Sequence, residues 1–277
     1  MNDLIINDQS FETIRTLQHD LPQALLLTGP DGVGLLATAQ AIGREMNAVV
    51  SVVLPTNKDN GIDIEKGSIR VASIRDLYQQ TRTKRSQSQV IIIDLAERMS
   101  PASQNAFLKL LEEPSRSTYF ILATHRPNDL LVTVRSRTQH VSLQPVSTAQ
   151  SIDLIEKLGI VDKDKIEKLL FIADGLPAEI VRLVKDAEYF DKRASIMKDA
   201  REFLSADTYN KILIINRYRD NRNDTLALLE SAMTIARRIL SIRPEPSLIK
   251  QLDLFISAYE RVQSNQNIRL QLTRIVL

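Results

Sequence analysis

The chain has 277 residues, of which 43% are hydrophobic and 25% charged, a globular composition long enough for two or three domains. With 36 Lys and Arg against 34 Asp and Glu, the net charge of +2 excludes neither a protein nor a nucleic acid as partner, because local patches matter more than the total. The absence of cysteine excludes disulfides and thiolate chemistry, and His19, His125 and His140 lack metal-ligand spacing, so no metal site is expected. No leader or membrane-spanning apolar run is recognisable, which predicts a cytoplasmic protein without membrane contact.

A strand, a glycine-rich loop and a helix follow one another near the start of the chain. An amphipathic helix is predicted over Phe11–His19, and Gln23–Thr28 reads as a buried strand. The loop carries Gly29, Gly32 and Gly34, and a helix then runs over 37–46. This order is the context of a phosphate-binding P-loop.

The loop lacks the two side chains with which a P-loop binds phosphate and Mg²⁺. A working P-loop ends in a lysine that neutralises the β- and γ-phosphates and a hydroxyl that holds Mg²⁺. Leu35 and Leu36 occupy those two positions, and leucine offers neither charge nor an oxygen ligand. We favour the interpretation that the glycines only make a tight turn; the alternative is a phosphate resting on the helix N-terminus without lysine.

The segment 68–78 predicts a short strand at Ile69 and Val71, followed by a helix. A small basic cluster comes next, made of Arg82, Lys84 and Arg85. Such a cluster is usually solvated surface, and contact with a DNA backbone is the alternative.

The stretch 89–145 organises the rest of the chain. A β-branched run, Val90–Ile93, ends in Asp94 and predicts a buried parallel strand that carries a carboxylate at its end. Ser100 and Pro101 start a helix that Pro114 ends. A second apolar strand is predicted over 119–124 and a third over 138–143, with Arg135, Ser136 and Arg137 between them.

This ordered set of motifs resembles the ATPase core of bacterial DNA polymerase III clamp-loader subunits, which are AAA+ proteins. The matching segments read IIID, RMSP, LLEEP, FILAT and RSRT. The resemblance makes Asp94 a Walker B residue, puts Thr124 at the sensor 1 position and makes Arg137 an arginine finger. It extends well to Pro145, fairly to Asp186, and at fold level beyond, apart from a family-like C-terminal segment.

Three positions depart from the active members of that family. Leu35 replaces the P-loop lysine, Leu95 replaces the Walker B glutamate that positions water, and Ala178 stands where a sensor 2 arginine is expected. The resemblance therefore implies a subunit that binds no nucleotide of its own, in which Asp94 is a relic. Glu97 is offset from the Walker B position, and we expect its side chain to point away from that position if the segment turns into the loop. We interpret Arg182 as a surface residue.

Downstream of Pro145 the pattern is helical. The resemblance implies an α/β AAA+ core with a parallel sheet flanked by helices over residues 1–145, a helical lid over 146–187 and an all-α collar over 188–277. The apolar faces of the last helices predict a partner surface.

Loss of the catalytic positions together with a retained Arg137 is similar to the delta-prime type of subunit. It implies a non-hydrolysing stator that donates Arg137 in trans to the ATP and Mg²⁺ of a neighbouring subunit. The implied partners are tau/gamma-type ATPases, a delta-type clamp opener and, indirectly, the sliding clamp and primer-template DNA. Two alternatives stay open: an active gamma/tau-type ATPase, and an AAA+-derived interaction module outside replication.

Overall fold

A computed structural model describes residues 4–18, 21–82, 87–113 and 117–276. The chain divides into two compact units, 1–182 and 183–277. The division into core, lid and collar at 145 and 187 stays a prediction. No helix in the described ranges is both long enough and apolar enough to cross a membrane.

The first unit contains a five-stranded, wholly parallel sheet in the order β2-β3-β4-β1-β5. In chain order, the elements that begin in this unit are α1 (Asp8–Gln18), β1 (Ala24–Thr28), α2 (Leu35–Glu45), β2 (Val49–Val53), α3 (Val71–Arg82), β3 (Gln89–Ile93), α4 (Pro101–Glu112), β4 (Thr118–Thr124), α5 (Val132–Arg135), β5 (Gln139–Ser142), α6 (Thr148–Lys157), α7 (Lys163–Ala173) and α8 (Pro177–Lys185).

Helices cover the sheet on both faces because its strands are apolar on both sides. Successive residues of β3 alternate between two clusters: Ile91 packs with Phe107 and Phe120, whereas Val90 and Ile92 pack on the opposite face. The Phe107 and Phe120 rings meet edge to face, with their centroids 5.3 Å apart. This two-faced core confirms the predicted α/β class.

The strand order decides where the site lies. β3, β4 and β1 are neighbours, with Ile91 opposite Phe120 and Leu26 opposite Leu122. In a parallel sheet the carboxyl ends of neighbouring strands share one edge. The glycine loop, Asp94 and Thr124 are therefore brought together at this edge.

One local prediction was wrong, and one strand was missed. Val71 begins α3 instead of belonging to a strand, and Ile69 makes no more than an isolated bridge, to Met99. β2 was not predicted, although four of its five residues are valine, an apolar β-branched run of the kind that indicates a strand.

The second unit is helical throughout its described residues. It contains α9 (Ala187–Ser205), α10 (Thr208–Tyr218), α11 (Arg222–Ile242), α12 (Pro246–Gln263) and α13 (Ile268–Val276). Phe203 and Phe255 meet at its centre, with their ring centroids 5.9 Å apart. The buried Asp199 accepts a hydrogen bond from the Tyr218 hydroxyl at 2.7 Å and pairs with Arg217 at 3.1 Å.

Candidate functional site

The glycine loop joins β1 to α2, and its two leucines belong to the protein core. Gly34 caps α2 through its backbone alone, in a left-handed conformation. Leu35 is 3% exposed and lies in the apolar cluster on that face of the sheet, against which the half-buried Leu36 also packs. A lysine at position 35 would have to leave this cluster to reach a phosphate.

The segment aligned with sensor 2 lies directly on the glycine loop. The Gly32 carbonyl accepts hydrogen bonds from the backbone N–H groups of Ala178, at 2.8 Å, and Glu179, at 3.2 Å. Both are among the first residues of α8, whose early N–H groups have no partner within the helix. Glu179 is buried and its carboxylate pairs with Arg182 at 3.4 Å, and Ala178 supplies no sensor 2 arginine to the loop.

Asp94 directly follows the last residue of β3 and is half-buried. Burial raises the pKa of its carboxyl, with smaller contributions in the same direction from Glu97 and Asp31, while the Leu95 N–H and His125 act in the opposite direction. Leu95 itself adopts a left-handed backbone with φ of 51°, which turns the chain into a short 3₁₀ segment over 96–98. The position of the missing glutamate is therefore the start of a turn.

The side chain of Glu97 lies at the site, contrary to our expectation that it would point away from it. The fully buried Thr124 donates its hydroxyl proton to Glu97 at 2.6 Å and accepts a hydrogen bond from the Arg126 N–H at 3.1 Å. The 3₁₀ turn after Leu95 explains this return, because it folds the chain back toward the end of β4. The sensor 1 hydroxyl thus has protein partners on both sides.

His125 is a residue of this site that the sequence did not reveal. Its Nδ1 lies 2.9 Å from the Gly29 carbonyl, and its Nε2 lies 3.7 Å from Asp31 Oδ1. The ring therefore joins the end of β4 to the glycine loop. An isolated histidine carries no motif, and only the strand order places it here.

Arg137 lies in the short segment between α5 and β5 and is 40% exposed. Its Nη2 pairs with Glu112 at 2.9 Å, and its Nη1 donates to the Thr133 carbonyl at 3.1 Å. Arg135, by contrast, donates to the Asn128 side chain at 3.2 Å. Of the basic cluster before β3, Lys84 and Arg85 lie outside the described residues, as does Pro114 at the predicted end of α4.

The fold is that of the AAA+ class. A DNA polymerase III gamma subunit-related protein of Thermotoga maritima matches with 18% identity and a TM-score of 0.52, over 96% of this chain and 97% of that chain. The RuvB Holliday junction branch migration motor of the same organism matches with 15% identity and a TM-score of 0.51, over 86% and 77%. At these identities the likeness concerns the fold alone.

The family follows from the sequence. The family model described as "DNA polymerase III, delta subunit" matches residues 9–147, half of the chain, and the chain belongs to that family. The delta' subunit of Pseudomonas aeruginosa is 29% identical over 65% of this chain and 61% of its own length. The gamma/tau subunit of Mycobacterium bovis is 29% identical over 55% of this chain and 30% of its own length. The chain thus spans less than two thirds of these relatives, and the match confirms the resemblance to clamp-loader AAA+ proteins.

Proposed function

We propose that this chain is a delta-prime-like subunit of a bacterial DNA polymerase III clamp loader. It hydrolyses no ATP itself, stabilises the complex as a stator and donates Arg137 to the ATP of a neighbouring gamma/tau-type subunit. A delta-type subunit, the sliding clamp and primer-template DNA complete the proposed set of cytoplasmic partners.

The observation that carries the first half of this proposal is the burial of Leu35 in the core. Phosphoryl transfer depends on charges placed around the γ-phosphate. At this site the residue in place of the P-loop lysine is the buried Leu35, and the residue in place of the sensor 2 arginine is Ala178. The residue in place of the Walker B glutamate is Leu95, which starts a turn. Burial and, to a smaller extent, the nearby charges of Glu97 and Asp31 raise the pKa of the Asp94 carboxyl there, and a triphosphate without a lysine would add further negative charge to this place.

Arg137 supports the second half. Charge builds on the γ-phosphate oxygens in the transition state, and a guanidinium supplied by another subunit typically accelerates turnover by about 10³–10⁵. Arg137 is half-exposed between α5 and β5. Since the chain's own loop lacks the lysine, the ATP that Arg137 serves would belong to a neighbour.

Calorimetric titration of the purified chain with Mg-ATP tests the first half, and we expect no binding at physiological concentration. A micromolar dissociation constant would favour a gamma/tau-type ATPase instead. For the second half, Arg137→Ala in the reconstituted complex should lower DNA-stimulated ATP turnover and clamp loading. Arg135→Ala is the matched control, and wild-type rates for both variants would leave only a scaffold.

A further inference from the structure

Arg137 is held by two elements other than the segment that carries it. Glu112, the last residue of α4, pairs with its Nη2, and Thr133 of α5 accepts from its Nη1. The two side chains are 40% and 51% exposed, so the pair lies at the surface. We call this contact the Glu112–Arg137 pair.

The position of Glu112 at the end of a helix favours this contact beyond the attraction of two opposite charges. A carboxylate in the last turn of a helix faces the negative end of the helix dipole and is favourable there only beside a cation. Thr133 adds a terminal carbonyl of a second helix, which a cationic side chain also satisfies. The guanidinium is therefore drawn to the place where α4 and α5 both end.

The contact leaves most of the guanidinium available. An arginine has five N–H donors in a rigid planar fork. Glu112 and Thr133 engage one donor each, on different nitrogens, and within the described part of the chain these are the partners of Arg137. Three donors remain for a phosphate, and the two anchors fix the plane in which the fork lies.

We propose that Glu112 is a positioning residue for Arg137, a role that rests on the proposed function. It holds the guanidinium in the orientation in which the remaining donors meet the neighbour's γ-phosphate, so less side-chain entropy is lost when the transition state forms. Pre-organised donors stabilise a transition state because they need no reorientation at the moment of reaction. If Glu112 instead competed with the phosphate for the guanidinium, removing its carboxylate would raise kcat, whereas the positioning role predicts a lower kcat.

The test uses the complete complex, reconstituted with its gamma/tau-type and delta-type subunits, the sliding clamp and primed DNA. The variants are Glu112→Ala, Glu112→Gln, Arg137→Ala and the double variant Glu112→Ala/Arg137→Ala. Glu113→Gln, at the exposed next residue, is the matched control for loss of one negative charge. Initial rates over a range of ATP concentrations give kcat and KM for each, and melting temperatures show that the variants fold.

We expect Glu112→Ala to lower the Arg137-dependent part of kcat about threefold, in the range that exposed ion pairs contribute, with KM for ATP unchanged. Glu112→Gln should fall between this variant and wild type, because its amide oxygen still accepts from Nη2. The double variant should be no slower than Arg137→Ala, since Glu112 acts only through the guanidinium. Glu113→Gln should match wild type.

The possible failures are distinguishable. Wild-type turnover in Arg137→Ala would overturn the trans finger and, with it, the role of Glu112. A slow Arg137→Ala beside a wild-type or faster Glu112→Ala would overturn the positioning role alone. A double variant much slower than Arg137→Ala would mean that Glu112 acts by a route other than Arg137, which also contradicts the proposal.

Discussion

At the scale of single residues, Gly32 of the glycine loop is constrained both by its backbone conformation and by a close neighbour. Its φ is +84°, and its carbonyl accepts from two N–H groups of α8. A Cβ at this position would lie 2.9 Å from the Glu179 Cβ. Gly32 is thus held both by its own backbone and by the helix that contacts it.

Gly32→Ala should destabilise the protein more than Gly159→Ala does. Gly159 has nearly the same φ, +82°, but nothing lies within 4 Å of an added Cβ. Its substitution costs only the left-handed backbone, about 1 kcal/mol, whereas Gly32→Ala adds an overpacked contact of about 1–3 kcal/mol. Urea unfolding of both variants gives the difference, and equal losses would show that α8 does not rest on the loop in solution.

Asp94→Asn should stabilise the protein at neutral pH. Burial raises the pKa of the Asp94 carboxyl above its ordinary value of 3.8, so its ionisation costs free energy in the folded state. The asparagine keeps the shape without the charge. Its advantage should be largest above the raised pKa and vanish below about pH 3.8, where the aspartate is neutral in both states.

Urea unfolding across this pH range measures the effect, with the exposed loop residue Asp59→Asn as the control. A loss of stability in Asp94→Asn at pH 7 would mean that the ionised carboxylate has a favourable partner.

At the scale of elements, the sequence predicted the strands that have a regular apolar pattern, and it did not predict the side-chain contacts that depend on the tertiary fold. The strands β1, β3 and β4 are uninterrupted apolar runs, so they could be found, to within a residue at their starts. β2 is also an apolar run, with four valines in five residues, and could have been predicted in the same way. The Glu97 contact depends on the left-handed turn at Leu95, and the His125 contact depends on which strands are neighbours; neither is encoded in a local pattern.

Restoring the residues of a working P-loop should lower the stability of the protein more than it improves the binding of Mg-ATP. In Leu35→Lys/Leu36→Thr a charge enters the core cluster, and an unpaired buried charge costs about 3 kcal/mol or more. We expect a large loss in urea stability, no ATP turnover and at most weak Mg-ATP binding by calorimetry. Leu36→Thr alone, at the half-buried position, is the milder control. A stable double variant that turns over ATP would refute this interpretation.

At the scale of the whole molecule, the described part of the chain forms an α/β unit and a helical unit. Several large apolar side chains of the helical unit are exposed, among them Tyr209, Ile242 and Leu270. The family resemblance implies a role of this region in assembly. The apolar helix faces could be predicted from the sequence, but many of their residues, such as Leu229 and Phe255, are buried within the helical unit and are not left for a partner. Which faces meet a partner could not be predicted, because that depends on surfaces outside the chain.

A chain truncated after residue 187 should therefore lose its place in the complex while its α/β unit stays folded. Exposed apolar surface on the removed helices is the contact we expect to be lost. Gel filtration with the other subunits measures assembly, and circular dichroism reports the fold. Assembly of the truncated chain at full affinity would assign the contact to the α/β unit instead.

The hydrogen bonds at the carboxyl edge of the sheet affect how the stability of the protein depends on the ATP concentration in the cell. A protein that binds a ligand only when folded gains stability with ligand concentration, about 2.7 kcal/mol at one hundred times the dissociation constant. Here Thr124, His125 and Gly32 link the same edge through partners within the chain. We expect its melting temperature to be the same with or without millimolar Mg-ATP, so that the folded fraction of this protein would not fall when the cellular ATP concentration falls.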